Sequence, residues 1–342
     1  KIIMKNLIKK MSLACIALTM LSCSDDDNNT PQQQTIAEIA ADTADFSTLV
    51  TALNRTGLTA ALDGDGQFTV FAPTNAAFQT FFSSLGSNVT VNNVDVNVLK
   101  NILLNHVIGE EIKSTDIPAS VYKNTLSPIS AAANAPTISM FIQKSGATVT
   151  LNGGVDSKGA IVSTADVDAS NGVIHIVNRV IQIPTLVDHV VDNPEFDTLQ
   201  TVVTSTGGAF GDQSAVLSAL SGLTAASPAT LFAPNNAAFT SLISELTTAG
   251  ISPTGAQFSS VLQYHVVGGN VRSTALPSVV SGSSAGVVPT LNGQNITISL
   301  TGGAKITGTF SPTRPASNII ATDIQGSNGV IHVLDKVLLP TL

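Results

Sequence analysis

Phe68-Thr-Val-Phe-Ala-Pro-Thr-Asn-Ala-Ala-Phe78 returns 161 positions later as Ala229-Thr-Leu-Phe-Ala-Pro-Asn-Asn-Ala-Ala-Phe239. Two more blocks repeat in the same order, at offsets of 159 and 157. Leu103-Leu-Asn-His-Val-Ile-Gly109 matches Leu262-Gln-Tyr-His-Val-Val-Gly268, and Ser170-Asn-Gly-Val-Ile-His175 matches Ser327-Asn-Gly-Val-Ile-His332. Such a period exceeds the roughly 20–50 residues of a solenoid unit. It fits a duplicated globular domain of ordinary size. The repeats are placed at 35–186 and 187–342, and each proposed site in one can be checked against its twin in the other.

Outward from the opening block, Phe68 and Val70 read as a strand, stopped by Ala-Pro and followed by a Thr or Asn suited to cap a helix. Phe78, Phe81, Phe82 and Leu85 then fall at spacings of 0, 3, 4 and 7, as do Phe239, Leu242, Ile243 and Leu246, with Gly86 and Gly250 as stops. That is one amphipathic helix, present twice. The second block gives another, through Leu99, Ile102, Leu103 and His106 and through Phe258, Val261, Leu262 and His265. Later segments alternate with period two: Ala147–Leu151, Gly172–Val177 and Asn295–Leu300 read as strands. Helices followed by a run of strands predict an α+β domain in each repeat.

Ahead of the repeats lies a leader. Lys5, Lys9 and Lys10 precede the apolar run Met11–Leu21, too short for the roughly 20 residues of a spanning helix, so residues 1–22 read as a secretory signal. The signal ends on Met20-Leu21-Ser22-Cys23, which resembles a bacterial lipoprotein signal with Cys23 as the lipid-bearing residue. Residues 23–34 hold nothing to bury and read as a disordered polar tether. Its Ser24–Gln34 stretch reaches at most about 35–40 Å. Cys-Ser-Asp-Asp-Asp also resembles the surface-export signal of Bacteroidetes lipoproteins; the plainer alternative is a solvated spacer.

Both cysteines, Cys15 and Cys23, precede the repeats, which excludes disulfides, zinc–thiolate sites and cysteine nucleophiles from them. The chain carries 15 Lys and Arg against 23 Asp and Glu; loss of Lys1, Lys5, Lys9 and Lys10 with the leader leaves 11 basic residues and a net charge of −12. A chain this acidic is repelled by nucleic acid and by anionic membranes, so contact with a membrane is expected through the lipid alone.

Phe-Ala-Pro-Thr/Asn-Asn-Ala-Ala-Phe, His-Val-Val/Ile-Gly and Asn-Gly-Val-Ile-His, in this order, resemble the fasciclin (FAS1) domain, and the resemblance covers nearly all of 35–342. It implies a β wedge packed with several helices in each repeat. It also implies extracellular adhesion or ligand binding rather than catalysis.

Of the five histidines, His106 and His265 lie on apolar helix stripes, which suits a buried histidine held by a hydrogen bond. The resemblance offers another role, since a Tyr-His pair here is implicated in adhesion: Tyr264-His265 matches it, whereas Asn105-His106 lacks the tyrosine. His175 and His332 alternate with valines on a strand face and suit a core position; His189 has no twin and falls in the helix opening the second repeat. Integrin-binding members of the family carry an Asp-Ile pair before the closing strand. Asp323-Ile324 matches it and Asp166-Val167 nearly does; the structural alternative is an aspartate capping the turn before Asn-Gly beside a core aliphatic residue.

Catalytic and metal signals are weak. Gly282-Ser283-Ser284-Ala285-Gly286 fits a serine-hydrolase pattern, but in a Ser/Gly-rich loop without a strand-to-helix elbow and without a twin. Asp63-Gly-Asp65-Gly66 lacks the remaining acidic positions of a calcium loop. No metal or cofactor is expected. The sequence thus predicts a lipid-anchored adhesion or binding protein at the outer membrane, facing outward, whose partner is a surface protein or polysaccharide. A glycan- or small-molecule-binding lipoprotein serving uptake is the alternative, and a hydrolase resting on Ser284 the second.

Overall fold

The computed structural model describes residues 33–276, 285–310 and 315–341. Thr35 and Thr185 open the two repeats with the same device. Each hydroxyl accepts from the amide three residues on, and Glu38 or Asp188 reaches back to the cap's own amide, completing a capping box. In the first repeat α1 (Ile36–Asp42), α2 (Ser47–Thr56) and α3 (Thr59–Asp63) lead into β1 (Phe68–Pro73), followed by α4 (Asn75–Leu85) and α5 (Val96–Asn105). The strands β2 (Val107–Ile108), β3 (Ser120–Pro128), β4 (Thr137–Ser145), β5 (Thr148–Leu151), β6 (Ala160–Ala169) and β7 (Gly172–Val177) complete it.

The second repeat runs through α6 (Leu186–Asp192), α7 (Asp197–Val203), α8 (Ser214–Ser221), β8 (Ala229–Pro234), α9 (Asn236–Ala249) and α10 (Gly255–Tyr264). It ends on β9 (Val266–Gly268), β10 (Ala285–Pro289), β11 (Asn295–Ser299), β12 (Lys305–Thr307), β13 (Ser317–Gly326) and β14 (Gly329–Leu334). Both repeats are therefore α+β, with the two amphipathic helices and the strands at 148–151, 172–177 and 295–299 where the sequence places them.

Strands β1 to β7 close into a barrel in chain order, whereas the second sheet has the order β10-β11-β12-β13-β14-β8-β9. In each, the block-one strand pairs parallel with the closing strand, and in the same register: Phe71 faces His175 and Phe232 faces His332. Asn-Gly makes that pairing possible. Gly172 and Gly329 have φ of 142° and 154°, and a Cβ on either would fall 2.0 Å from the carbonyl oxygen of Phe68 or Ala229. The adjoining Asn171 and Asn328 accept from the first amide of α1 and α6 and donate to carbonyls of Leu62 and Leu220, tying helices to sheet.

Because strand side chains alternate between faces, each sheet serves two cores. Val70 and Ala72 of β1 face the helices, where Phe78, Phe81, Leu99 and Ile174 are buried. Phe71 faces the other way, into a core with Met140, Ile142, Leu151 and Val177. The second repeat divides likewise, Leu231 and Ala233 on the helical side and Phe232 on the other. The predicted helix stripes overreach at their flanks. Leu85, in the last turn of α4, and Ile243, at the edge of the α9 stripe, stay exposed because only the face turned to the sheet is covered.

The repeats also pack on each other. Tyr122 of β3 lies against Phe141 at 4.9 Å between ring centroids and edge-on to His189 of α6 at 5.4 Å. Its hydroxyl accepts from the Asn193 amide at 3.3 Å. The Gln325 amide donates to Ser139 Oγ at 2.9 Å, and Lys158 pairs with Asp188 at 2.8 Å.

Candidate functional site

All five histidines are buried, so the residues with the most versatile chemistry in the chain are held inside. His106, the C-cap of α5, donates from Nδ1 to the Ile102 carbonyl at 2.7 Å and accepts the Ile181 amide at Nε2 at 2.9 Å. His265 repeats this with Val261 and Leu338, at the same distances. These partners fix a neutral imidazole. Burial, against the pull of the backbone carbonyl, lowers both pKa values to about 4. His175 and His332 stack on Phe71 and Phe232 and bond through Nε2 to the carbonyls of Ile112 and Val271. His189 lies in α6, with Nε2 3.3 Å from the Gln325 carbonyl.

Tyr264, the other half of the predicted adhesive pair, is fully buried. Its hydroxyl donates to the Asn295 carbonyl at 2.6 Å and accepts the Thr309 amide at 2.8 Å. In the first repeat Asn105 takes its place, bonding the carbonyls of Ile181 and Gln182 through its amide. Tyr264, His265 and His106 thus offer no surface for a partner in this conformation, because their side chains fill the core and bind backbone.

The Asp-Ile pairs sit differently. Asp166 and Asp323 lie at register shifts of β6 and β13 with φ of 61° and 63°, a backbone region that aspartate tolerates better than most residues. The kink turns each carboxylate onto Ser114 or Ser273, whose amide and hydroxyl both donate to it. The aspartates therefore cap a single helical turn at 114–116 or 273–275, not the turn before Asn-Gly. Burial works against the Asp166 charge, but the Ser114 hydroxyl and amide hold its pKa below the usual carboxylate value. Ile324 is buried, Val167 is half-buried, and Arg272 approaches Asp323 to 3.6 Å.

One of these pairs opens onto a cavity. A cleft of about 770 Å³ runs between the repeats, with Asp323, Ile324 and Arg272 on one wall and Glu110, Lys123 and Asn124 on the other. Lys123 pairs with Glu110 at 2.8 Å, so the two walls carry both signs of charge. Asp166-Val167 does not line it. The sequence pointed to Asp323 and Ile324 but not to Glu110, Lys123 or Arg272. Glu110 and Lys123 are single charges without periodicity or twin, Arg272 has a twin in Lys113 through the repeat of Lys113-Ser-Thr as Arg272-Ser-Thr, and only the packing of the repeats brings the three together. Chemically the cleft offers mixed charge, amides and a phenol. Among the described residues lining it there is no histidine, and its carboxylates are already paired with cations or capped by serine.

The remaining candidates are placed as follows. Cys23 and the leader lie outside the described residues, as do Gly282–Ser284 of the hydrolase-like pattern; Ala285 and Gly286 begin β10. Asp63 ends α3 and accepts from the Thr35 hydroxyl at 2.7 Å. Among the described residues no group of three histidine, cysteine or acidic side chains could hold a metal ion, and no helix is long and apolar enough to cross a membrane.

The fasciclin domain model matches residues 44–184 and 196–340, and the chain belongs to the fasciclin domain family. Protein sll1483 of Synechocystis is 36% identical over 156 residues, which is 45% of this chain and 77% of that protein. Transforming growth factor-beta-induced protein ig-h3 of Sus scrofa is 34% identical over 45% of this chain, a match spanning 20% of its own length. Human periostin is 27% identical over 82% of this chain and 29% of its own. A FAS1 domain pair from the insect cell adhesion molecule Fasciclin I superposes with a TM-score of 0.49 at 20% identity, covering 84% of this chain and 92% of that one.

Proposed function

We propose that this is a non-enzymatic adhesion or binding protein, anchored by lipid on Cys23 to the outer membrane and facing outward, that holds a surface protein or polysaccharide in the cleft between its repeats. The observation that carries this reading is the mixed-charge cleft of about 770 Å³ containing Asp323 and Ile324. Its size lies within the roughly 300–1,000 Å³ of ligand pockets. Membership of the fasciclin domain family, whose resemblance implies adhesion or ligand binding, supports the same reading. Repeats that pack directly on each other would present the cleft as one preformed surface, so little ordering cost opposes binding.

The test is a binding screen of the full chain against polysaccharides, matrix proteins and bacterial envelope fractions. Glu110→Ala and Arg272→Ala alter the two walls while leaving both cores intact. Each is expected to weaken saturable binding by about ten-fold, a loss of about 1.4 kcal/mol. Binding that survives both substitutions would place the contact elsewhere. Outward display is tested separately: protease added to intact cells should cleave the chain, and protection would move it to the periplasmic face.

A further inference from the structure

The seam between β2 and β3 is one bridge long, and it leaves a strand edge open at the cleft. Tyr122 stands opposite Phe141 of β4. Phe141 turns to its other side, where its carbonyl accepts the Asn152 amide at 2.8 Å and its amide donates to Asn152 Oδ1 at 2.8 Å. Hydrogen-bonded and non-bonded positions alternate along an antiparallel pair, so Tyr122 directs its own amide and carbonyl away from β4, and Ser120 does the same. The Lys144 amide, donating to the Ala119 carbonyl at 3.0 Å, keeps that alternation. On the outward side β2 ends at Ile108 and pairs with β3 only at Thr125. Beyond Gly109 the chain is drawn back to β1, where the Thr69 hydroxyl donates to the Glu110 carbonyl at 2.7 Å and accepts the Ile112 amide at 2.8 Å. The sheet joins β3 to β2 and β4 alone, so among the described residues the outward groups of Ser120 and Tyr122 have no strand partner. Such an edge is a template for an added strand.

The duplication marks a second unmet group on the facing wall. Lys113, the twin of Arg272, bonds Asp168 at 2.9 Å. Asp168 lies two residues beyond Asp166; two residues beyond Asp323 stands Gln325, a neutral side chain whose amide donates to the carbonyls of Gly326 and Gly329. Arg272 therefore lacks the carboxylate that its twin holds. Its neighbour at 3.6 Å is Asp323, both of whose oxygens already accept from Ser273. No hydrogen bond to the described residues supplements that ion pair. Lys123, by contrast, is bound to Glu110 at 2.8 Å. The planar fork of an arginine matches a carboxylate through two parallel hydrogen bonds.

Taking the cleft as the binding site, and resting on that reading, we infer that its occupant is an extended segment of a partner protein. The segment adds as a strand to the free edge of β3, and Arg272 receives one of its acidic side chains. Outward amides and carbonyls at strand spacing pair in register with another main chain, which a polysaccharide does not offer. The acidic side chain supplies what Asp168 supplies in the first repeat. Tyr122, the one aromatic residue of the described lining, is packed against Phe141 and edge-on to His189 rather than laid open for a sugar ring. At about 3.4 Å per residue, Ser120–Asn124 faces about five residues of the added strand.

A library of random short peptides displayed on phage, selected against the full chain and followed by isothermal titration of the synthesised winners, tests this. The selected peptides are expected to carry an aspartate or glutamate and to bind one per chain. Replacing that acid by its amide should weaken binding about ten-fold in the parent chain and hardly at all in Arg272→Gln, because the two changes remove one contact. N-methylation of every second peptide amide should abolish binding in one phase and spare it in the other, as a strand bonded along one edge requires. Ser120→Pro removes an outward amide at the first residue of β3, where the ladder to β4 uses none, and should weaken binding about three-fold or more. Circular dichroism shows whether the variants are folded. The N-methyl series alters only the ligand and keeps the test decisive if a variant does not fold. Peptides that bind Arg272→Gln undiminished, or that tolerate N-methylation in both phases, would overturn the proposal, as would failure to select any peptide. A polysaccharide whose binding falls in Glu110→Ala and Arg272→Ala, with no peptide selected, would leave the cleft as the site and remove the strand. A ligand screen insensitive to both walls would remove the two together.

Discussion

Nδ1 of His265 donates to one helix carbonyl and Nε2 receives the Leu338 amide, so a single side chain joins the end of α10 to the segment after β14. His106 makes the same join between α5 and the segment after β7. Replacing His265 by alanine strands a buried amide and empties a ring-sized space; the expected loss is about 3 kcal/mol, measured by denaturant unfolding. A loss of binding in that variant would therefore report on folding, not on contact with a partner. The same burial gives a pH dependence of definite sign. Folded, His106, His189 and His265 have pKa values lowered to about 4 from 6.5. Between those values the unfolded chain holds more protons than the folded one. Stability is therefore full above pH 6.5 and falls as the pH drops toward 4, by up to about 1.4 kcal/mol per pH unit for each histidine. Unfolding midpoints recorded from pH 7.5 to 4 should decline in this window, and a flat profile would mean that these imidazoles are reached by water.

At the scale of the element, the parallel seams β1·β7 and β8·β14 depend on a position without a side chain. Gly172→Ala would drive a methyl onto the Phe68 carbonyl at a φ of 142°, and Gly329→Ala onto that of Ala229 at 154°. Either substitution is expected to cost about 3 kcal/mol or more, well beyond an ordinary glycine-to-alanine change in a strand. Gly146→Ala, at a turn where a Cβ meets nothing within 4 Å, is the control. Its cost should be confined to the strain of its positive φ, and equal losses at all three sites would remove close approach as the cause. The sequence carried Asn-Gly and the strand after it in both repeats, so that turn and strand were legible, as were α4, α5, α9, α10 and the strands that alternate, but the parallel pairing was not. What it did not show were contacts made between segments far apart. The apolar spacing of Ile243 equals that of Phe82, yet one is exposed and the other buried, because coverage depends on the connection that follows the helix. The capping role of Asp166 and Asp323 was hidden likewise, since a left-handed aspartate in a bulge has no pattern of its own.

At the scale of the whole molecule the junction of the repeats contains a charge set against its own environment. Asp192 closes α6 and lies on the turn Asn152-Gly153-Gly154 of the other repeat, whose φ values of 42°, 70° and 74° keep the backbone close beneath it. A Cβ on Gly153 would stand 2.3 Å from Asp192 Oδ1, so only glycine fits there. Neither carboxylate oxygen meets a hydrogen-bond partner among the described residues. Burial raises the Asp192 pKa to about 6, and the Asp188 charge adds to it while Ser157 and Lys158 pull the other way. A folded pKa above the unfolded 3.8 means that the folded chain binds the proton more tightly. Its contribution is present in full below about pH 3.8 and is lost as the pH rises through 6, opposite in sign to the histidines. Above pH 6 the chain carries a buried charge where its halves meet, offset only in part by Ser157 and Lys158. Asp192→Asn removes that charge and keeps the shape, so it should stabilise the protein by about 1–2 kcal/mol at pH 7.5. The difference between the two proteins should shrink toward zero near pH 4, where Asp192 is already neutral. Comparing variant with parent at each pH cancels the histidine contribution, which both share. A variant that is less stable at pH 7.5, or whose advantage does not change with pH, would show that the carboxylate is compensated at the junction and that the repeats are held together partly by it.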